Sequence, residues 1–148
     1  VLNHWQAHGR PNFSEGDVLL LSFHGLPERN VQRGDPYQKQ CMRTAELLRQ
    51  ALDLTENEVK LSFQSRFGAQ KWLQPYTQAT LEQLADKGTR RIDVMCPGFS
   101  ADCLETLEEV NIELREVFMA RGGAVYHYLP CLNTEPAHID LLRDLVLI

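Results

Sequence analysis

At 148 residues, the chain has the length of a single domain, which can bury a hydrophobic core without disulfides or metals. Its 43% hydrophobic and 24% charged residues exclude a disordered or fibrous chain. A formal net charge of −5 without a basic stripe argues against a nucleic-acid partner, and the longest apolar run, Val18–Leu21, is too short for a membrane span of about 20 residues.

The cysteines and the first residue of the sequence lead to expectations about the location of the protein and its full length. The four cysteines are widely separated and form no CxxC pair. No stretch of the sequence is typical of a secretion signal, so we expect reduced thiols and a cytoplasmic location. Because the sequence begins with Val1 and not with Met, we expect it to be a piece of a longer protein.

Short apolar runs separated by helical patterns predict alternating strands and helices in chain order. A helix tail at 1–7 comes first, and strands are expected at 17–23, 59–64, 91–96 and 124–129. Helices are expected at 37–52, 75–87, 102–121 and from 136 onward. This order predicts one α/β domain over residues 1–148, with a four-stranded parallel sheet flanked by helices.

Two helix starts and two helix faces can be specified further. Asp35, followed by Pro36, is expected to cap the helix at 37–52, and Asp102 with Glu105 fits a capping box for the helix at 102–121. The apolar positions of that helix are expected to face the core: Leu104, Leu107, Val110, Leu114, Val117 and Phe118. The last helix is expected to bury its own apolar positions, Ile139, Leu142, Leu145 and Val146.

His24 follows the first predicted strand, at the edge where parallel α/β sheets bind their ligands. A histidine at that edge can accept a proton near neutral pH or ligate a metal. Alternatively, its ring hydrogen-bonds a nearby carbonyl and only fixes the loop. The sequence leaves both interpretations open.

The loop after the second predicted strand contains Trp72, with Arg66 and Lys71 close by in sequence. An indole in a polar loop can present a flat apolar face to a planar ligand, but packing over the domain's own core is the commoner role. Arg66 and Lys71 can neutralise ligand carboxylates, although most such charges are solvated.

Three carboxylates, Glu105, Glu109 and Glu113, follow one another at i, i+4 and i+8 on the third long predicted helix. On an α-helix they form one column, although like charges at this spacing destabilise a helix by about 0.2–0.5 kcal/mol per pair. Oxygen ligands in a row suit a divalent cation or a series of proton acceptors. Capping explains Glu105 alone, and a solvated acidic face would explain the other two.

The remaining motifs are weaker. His4 and His8 are spaced i, i+4 and could bind a metal, but they lie in a terminal segment. Cys41 and Cys131 are expected to be small core residues and not ligands. The sequence contains no GxGxxG motif and no P-loop, so nucleotide binding lacks its phosphate cradle.

Four stretches of the sequence together resemble the ferrochelatase family, whose members insert ferrous iron into protoporphyrin IX to form protohaem. They begin at Leu19, Ser62, Val94 and Tyr128 and read LLLSFHGLPERNVQRGDPY, SFQSRFGAQKWLQP, VMCPGFSADCLETLEEVNIE and YLPCLNTEPAHIDLLRDLV. The histidine–proline loop and the Asp-x-x-Glu-Thr-Leu segment are specific as a pair. The resemblance implies a Rossmann-like, chelatase-like domain.

The resemblance also implies that the chain is the carboxyl-terminal half of a two-half enzyme. The absent amino-terminal half would supply the other wall of the porphyrin cleft, so the expected partners are porphyrin, ferrous iron and that half. The isolated piece is expected to be inactive or weakly active. No resident cofactor is expected, and the carboxyl-terminal cysteines that ligate an iron–sulfur cluster in some relatives are missing. The resemblance leaves open a peripheral membrane association of the parent enzyme.

Carried over by position, the resemblance assigns catalysis to His24 and Glu105. It places Glu109 and Glu113 on an acidic path to the site, on a helix that has a π-type bulge in relatives. Together these four residues are the expected contacts of the metal ion. Which of the catalytic pair takes the protons and which takes the metal stays open.

The resemblance also indicates residues near the porphyrin. Arg33, Tyr37 and Trp72 match positions close to the macrocycle or to the loop that holds it. Cys103 departs from the family pattern, because many relatives carry a second histidine there. Any role of that histidine cannot be transferred to this chain.

Other functions stay open beside iron insertion. The chain could be a non-catalytic module of the same fold that binds porphyrin or metal without turnover. It could also be a cobalt-inserting relative that acts on corrin precursors, although such a site is expected to contain more histidines. A flavodoxin-like carrier fits the order of elements but not the loops.

Overall fold

Four apolar segments form a parallel sheet in the computed structural model, which describes residues 1–148. The strands are β1 (Val18–His24), β2 (Val59–Gln64), β3 (Arg91–Met95) and β4 (Val125–Leu129). Their order across the sheet is β2-β1-β3-β4, and every neighbouring pair is parallel. The predicted α/β class and four-stranded parallel sheet are therefore confirmed, with strand bounds within a residue or two of those expected.

Helices occupy the segments between the strands. They are α1 (Leu2–His8), α2 (Glu28–Gln32), α3 (Tyr37–Ala51), α4 (Thr77–Asp86), a π-helix (Glu105–Glu113), α5 (Leu114–Ala120) and α6 (Pro136–Val146). A single 3₁₀ turn, Phe13–Glu15, precedes β1. None of these helices is long and apolar enough to cross a bilayer.

Strand β1 is central and separates two hydrophobic clusters. Val18 and Leu20 face the first cluster with residues of α4, the π-helix and α5, whereas Leu19, Leu21 and Phe23 face the second with residues of α1 and α3. Because side chains alternate between the faces of a strand, a strand that is buried on both faces is a continuous apolar run. This explains why the first strand is the most apolar stretch of the sequence.

Of the two predicted helix caps, one forms and the other does not. Asp35 Oδ1 accepts a hydrogen bond from the backbone N–H of Tyr37 at 2.9 Å, which caps the start of α3 as expected. The predicted capping box of Asp102 and Glu105 is absent. Asp102 instead accepts hydrogen bonds from the segment after β4, and Thr106 Oγ1 accepts the N–H of Cys103 at 2.9 Å.

The third predicted helix differs from expectation because its first half is a π-helix. Hydrogen bonds in a π-helix join residue i to i+5, so the buried positions drift away from the α-helical spacing. Val110, Leu114 and Phe118 face the core as predicted. Leu104 and Leu107, however, are 74% and 46% exposed, and the polar Thr106 is buried in their place. Val117, the sixth predicted position, is half-buried.

Helix α6 forms where predicted but leaves its apolar side uncovered. His138 is its buried residue, at 7% exposure. The four apolar positions expected to pack inward are exposed: Ile139, Leu142, Leu145 and Val146. Amphipathic spacing predicts that these residues share a face, but not that this chain covers the face.

Substitutions of the neighbouring residues Phe118 and Met119 test which side of α5 packs into the hydrophobic core. Phe118 is fully buried among α5 and β4 residues, whereas Met119 is 42% exposed. We expect Phe118→Ala to lower the free energy of unfolding by about 3–5 kcal/mol, because it leaves a cavity in the core. Met119→Ala is the matched control and should change it by no more than about 0.5 kcal/mol. Urea unfolding followed by circular dichroism measures both, and equal effects would contradict this packing.

Candidate active site

The loops after the four strands meet at the carboxyl edge of the sheet, as the parallel order requires. Neighbouring loops are joined directly. The N–H of Gly25, after β1, donates to the carbonyl of Gln64, at the end of β2, at 2.8 Å. Asn133 Nδ2, after β4, donates to Asp102 Oδ2, after β3, at 2.8 Å. The N–H of Ser65, after β2, donates to Glu109 Oε1, on the helix after β3, at 2.8 Å, so the loops that carry the predicted site residues form one surface.

His24 is the last residue of β1, and its ring is half-buried. Its Nδ1 lies 2.7 Å from the carbonyl oxygen of Gly25. A carbonyl oxygen only accepts, so Nδ1 carries the proton and the neutral ring has its lone pair on Nε2. The ring thus fixes the loop, as one interpretation of the sequence expects. The same bond leaves Nε2 able to accept a proton or to bind a metal.

Three further hydrogen bonds brace the loop that follows His24. The hydroxyl of Tyr37 donates to the carbonyl of His24 at 2.8 Å, and burial raises the pKa of this hydroxyl, so it stays protonated. Leu73 N–H donates to the carbonyl of Leu26 at 2.9 Å, and Glu28 N–H donates to that of Lys71 at 3.0 Å. Tyr37 therefore supports the histidine through its backbone.

Gly25 is required by the close approach of the second loop. A Cβ at this position would lie 2.8 Å from the carbonyl oxygen of Gln64 and 3.2 Å from the ring of Trp72. A side chain here would have to push the two loops apart. The glycine thus permits the backbone contact that holds His24 in place.

Trp72 supports its loop from below and does not form its surface. It is 8% exposed, its Nε1 donates to the carbonyl of Phe67 at 2.8 Å, and it bridges to Pro27 in the first loop. Trp72 therefore packs over the domain's own core, which is the commoner of the two roles expected for it from the sequence. Phe67, which sequence reasoning missed, is the exposed aromatic residue of the loop, at 66%. Its ring lies 6.1 Å from that of Trp72.

The charged candidates of this region remain at the surface. Arg33 is exposed at the end of α2, and Lys71 is exposed in the second loop. Arg66 is also exposed, and its guanidinium lies 4.7 Å from the centre of the Tyr76 ring. Arg66 is thus held against an aromatic face, whereas the other two extend into solvent.

Glu105 is the first residue of the π-helix and is exposed. Its pKa is lowered, chiefly by hydrogen bonding from the side chain of Cys103 and then by its own backbone N–H. The parallel pairing of β1 with β3 brings His24 and Glu105 to the same edge of the sheet, and the ring of His24 lies 6.4 Å from that of Phe99 in the loop that leads to Glu105. Cys103, two residues before Glu105, is thus the group that most affects the pKa of this carboxylate.

Glu109 and Glu113 occupy different settings on the same π-helix. Glu109 Oε1 accepts the backbone N–H of Ser65 at 2.8 Å, and its Oε2 accepts the hydroxyl of the same residue. Ser65 has φ of 61°, a left-handed conformation that is uncommon for serine and that directs both donors to one carboxylate. Glu113 is exposed and lines, with Glu109, a cavity of about 510 Å³ beside α4. The three glutamates of the predicted column therefore lie in three different environments. Glu105 is exposed, Glu109 is hydrogen-bonded to Ser65, and Glu113 is exposed at the cavity.

A buried polar network lies behind that cavity. The hydroxyl of Ser22 donates to Gln64 Oε1 at 2.6 Å and lies 2.8 Å from the hydroxyl of Thr77, which is 2.9 Å from that of Ser62. Gln64 lines the cavity, and its buried Nε2 has no partner within the protein. Sequence reasoning missed this network, although polar residues inside two apolar strands were a usable signal.

Asp102 joins the third loop to the segment after β4. It accepts hydrogen bonds from Tyr128 Oη at 2.6 Å, from Asn133 Nδ2 at 2.8 Å and from the Cys131 N–H at 3.3 Å. Partial burial opposes its ionisation, but these hydrogen bonds outweigh that effect and lower its pKa to about 2. Asp102 is therefore an ionised anchor for the start of the π-helix.

The other cysteine and histidine candidates lie in different parts of the fold. All four cysteines are unpaired; Cys41 is buried in the cluster with α1 and α3, and the half-buried Cys131 packs against the other cluster, which contains α4 and α5. Burial raises the pKa of Cys131 to about 11, which disfavours the thiolate that a metal needs. His4 and His8 lie on α1, against the middle of the sheet and away from the carboxyl edge.

Comparison with known proteins identifies a family whose model matches this chain and a solved structure with a similar fold. The model of the ferrochelatase family matches residues 1–147. Among solved structures, the fold is similar to that of CbiX, a protein of cobalamin (vitamin B12) biosynthesis from Marinobacter aquaeolei VT8, with a TM-score of 0.55 and 13% identity. The match covers 88% of this chain and 93% of that chain. At this identity, the likeness concerns the chelatase-like fold alone.

The Asp102 anchor predicts a pH dependence of stability. Its pKa of about 2 in the folded protein lies below the ordinary value of 3.8, so its ionised form stabilises the fold above about pH 4. That contribution is lost as the pH falls towards 2. We expect Asp102→Asn to reduce the free energy of unfolding at neutral pH by about 1 kcal/mol, less than the full shift implies, because the side chain is partly exposed.

The measurement is urea unfolding of the wild type and Asp102→Asn between pH 2 and 7. The two stabilities should converge at the acidic end, because both side chains are then uncharged. Asp53→Asn is the matched control, since Asp53 is exposed and its side chain makes no hydrogen bond. A constant difference between wild type and Asp102→Asn at every pH would show that the charge of Asp102 contributes nothing.

Proposed function

Since this chain belongs to the ferrochelatase family, we propose that it serves in the insertion of ferrous iron into protoporphyrin IX, with His24 and Glu105 as the catalytic pair. One observation carries the proposal: the parallel pairing of β1 with β3 brings His24 and the loop that leads to Glu105 to the same carboxyl edge, where the His24 ring lies 6.4 Å from that of Phe99. Metal insertion releases two pyrrole protons, so the reaction needs proton acceptors beside the ring.

In this proposal, His24 acts on one side of the reacting ring. Its Nδ1 proton is bound to the Gly25 carbonyl, so Nε2 can accept a pyrrole proton. From Nε2 the proton would pass to water. The Tyr37 hydroxyl, bound to the His24 carbonyl, positions the strand end but does not touch the ring nitrogen.

Glu105 supplies the negative charge at the same edge. Its lowered pKa keeps the carboxylate ionised at neutral pH, where it can attract ferrous iron or take the second proton. Glu109 and Glu113 would continue this acidic path along the π-helix towards the cavity that they line. Because Glu109 is bound to Ser65, we assign the entering cation first to Glu113, which is exposed.

The porphyrin itself would lie across the surface formed by the first two loops. Arg33 is exposed and can pair with a propionate of the macrocycle, while Tyr37 and Trp72 hold the loops from beneath. We assign contact with the flat ring to Phe67, whose side chain is 66% exposed beside Trp72.

We further propose that a second half completes the cleft in the parent enzyme. Leu104 and Leu107 are exposed beside Glu105, and α6 leaves an apolar face uncovered. Such surface suits burial against another domain or the edge of a macrocycle. Translation of the gene upstream of Val1 tests this directly, and a stop codon close to that position would contradict it. A cytoplasmic location belongs to the same proposal and accords with four free thiols.

Cobalt insertion into a corrin precursor is the second candidate, because the fold is similar to CbiX. Two anaerobic assays of the parent protein distinguish iron insertion from cobalt insertion. The first contains Fe²⁺ and protoporphyrin IX, and the second contains Co²⁺ and a reduced, carboxylate-rich tetrapyrrole. We expect the absorption spectrum of haem to develop faster than without protein in the first assay only. Turnover confined to the second assay would establish the cobalt alternative, and turnover in neither would leave a binding module.

Substitutions at His24 and Glu105, with a control at Glu108, test the catalytic pair. We expect His24→Ala and Glu105→Gln each to lower kcat about 100-fold or more, because each removes a proton acceptor. Glu108→Gln is the matched control: Glu108 is exposed on the same helix and should leave kcat within about twofold. The initial rate of haem formation at saturating porphyrin measures all three. Near-normal turnover of His24→Ala would remove its assigned role.

A further inference from the structure

A second group of metal-binding side chains lies near the middle of the sheet, remote from His24. Asp93 in β3 is fully buried, and His127 stands beside it in register on β4. His4 reaches the same place from α1. Asp93 also pairs with Leu19, five residues before His24, which corresponds to about 16 Å along the strand. The group is therefore separate from the candidate active site.

The carboxylate of Asp93 is held in a fixed orientation. Its Oδ2 accepts hydrogen bonds from Trp5 Nε1 at 2.7 Å and from Arg91 Nη2 at 3.1 Å. Its Oδ1 accepts one hydrogen bond, from Arg91 Nε at 2.9 Å. Oδ1 therefore has one lone pair left, and His127 Nδ1 lies 3.3 Å from this atom without the geometry of a hydrogen bond.

Two imidazole nitrogens in this group are buried without a hydrogen-bond partner. They are His4 Nε2 and His127 Nδ1. A buried polar atom without a partner is unfavourable and calls for a ligand.

We propose that His4 Nε2, His127 Nδ1 and Asp93 Oδ1 bind a divalent transition-metal ion of the Zn²⁺ or Co²⁺ type. One ligand atom from each of the three residues lies within 4.8 Å of the others, and His127 Nδ1 is 3.3 Å from Asp93 Oδ1. Tetrahedral bonds of about 2.0–2.2 Å place ligand atoms roughly 3.4 Å apart, so small rotations of the two rings complete the geometry. The ring of His8, 4.5 Å from that of His4, or a water molecule supplies the fourth position.

The charges near the site select the kind of metal. Arg91 neutralises Asp93, so the binding energy must come mainly from the imidazoles. Imidazole ligands favour zinc, cobalt, nickel and copper over magnesium and calcium. The bound ion would link α1 to β3 and β4. At free metal of about 100 times Kd, it would shift the folding equilibrium about 100-fold towards the folded state.

The test is a Co²⁺ titration of the whole chain without any tetrapyrrole. It uses the His24→Ala Glu105→Gln background, which removes the ligands of the proposed catalytic pair and separates this site from that function. We expect one equivalent of Co²⁺ with the visible absorption of tetrahedral coordination, displaced by Zn²⁺. Adding His4→Ala or His127→Ala should each weaken binding about tenfold or more, whereas His138→Gln, outside the group, should leave it unchanged.

A second measurement keeps the test valid if a variant folds poorly. Proton NMR of the wild-type histidines identifies the ligands directly, because paramagnetic Co²⁺ shifts the ring protons of His4 and His127 first. Zn²⁺ should also raise the melting temperature of the wild type. Binding of equal affinity after loss of both His4 and His127, or no shift of their ring protons, would overturn the proposal.

Discussion

The burial of β1 on both faces is the constraint on which the candidate site depends. This strand has no solvent-facing side, and its parallel pairing with β2 and β3 fixes its register at two edges. The backbone of His24 is therefore set by the hydrophobic core and not by a flexible loop. The two loops beside it then add direct contacts, and Gly25 allows them to approach closely enough to do so. The position of the ring and the tautomer of its neutral form follow from these few contacts.

Most of the fold could be predicted from local pattern, because apolar runs and glycine–proline boundaries are local properties of the sequence. Burial within the π-helix could not. Leu104 and Leu107 were expected inside on α-helical spacing, and nothing in their spacing signals an i to i+5 hydrogen-bond pattern. The family resemblance supplied that feature instead. The exposed face of α6 is a related case, since periodicity identifies an apolar face but not its partner.

Contacts between residues that are far apart in the sequence limit how much of the site could be predicted. The spacing of Glu105, Glu109 and Glu113 was visible in the sequence, but the attachment of Glu109 to Ser65 joins residues 44 positions apart. Likewise, Asp93 is a carboxylate inside the buried strand β3, and a buried carboxylate needs partners. Only the order of strands β3 and β4 brings His127 beside it. Sequence thus predicts which residues need a partner, and topology decides which partner they receive.

The π-helix explains how one segment can present Glu105 and yet remain fixed. Hydrogen bonds of the i to i+5 kind are less favourable than those of an α-helix, so a π-helix of nine residues needs support from outside. Asp102 provides it before the first turn, through Tyr128 and Asn133, and Glu109 provides it in the middle, through Ser65. Glu105 lies between these two anchors. Its carboxylate can therefore stay exposed at the carboxyl edge without needing to stabilise the helix that carries it.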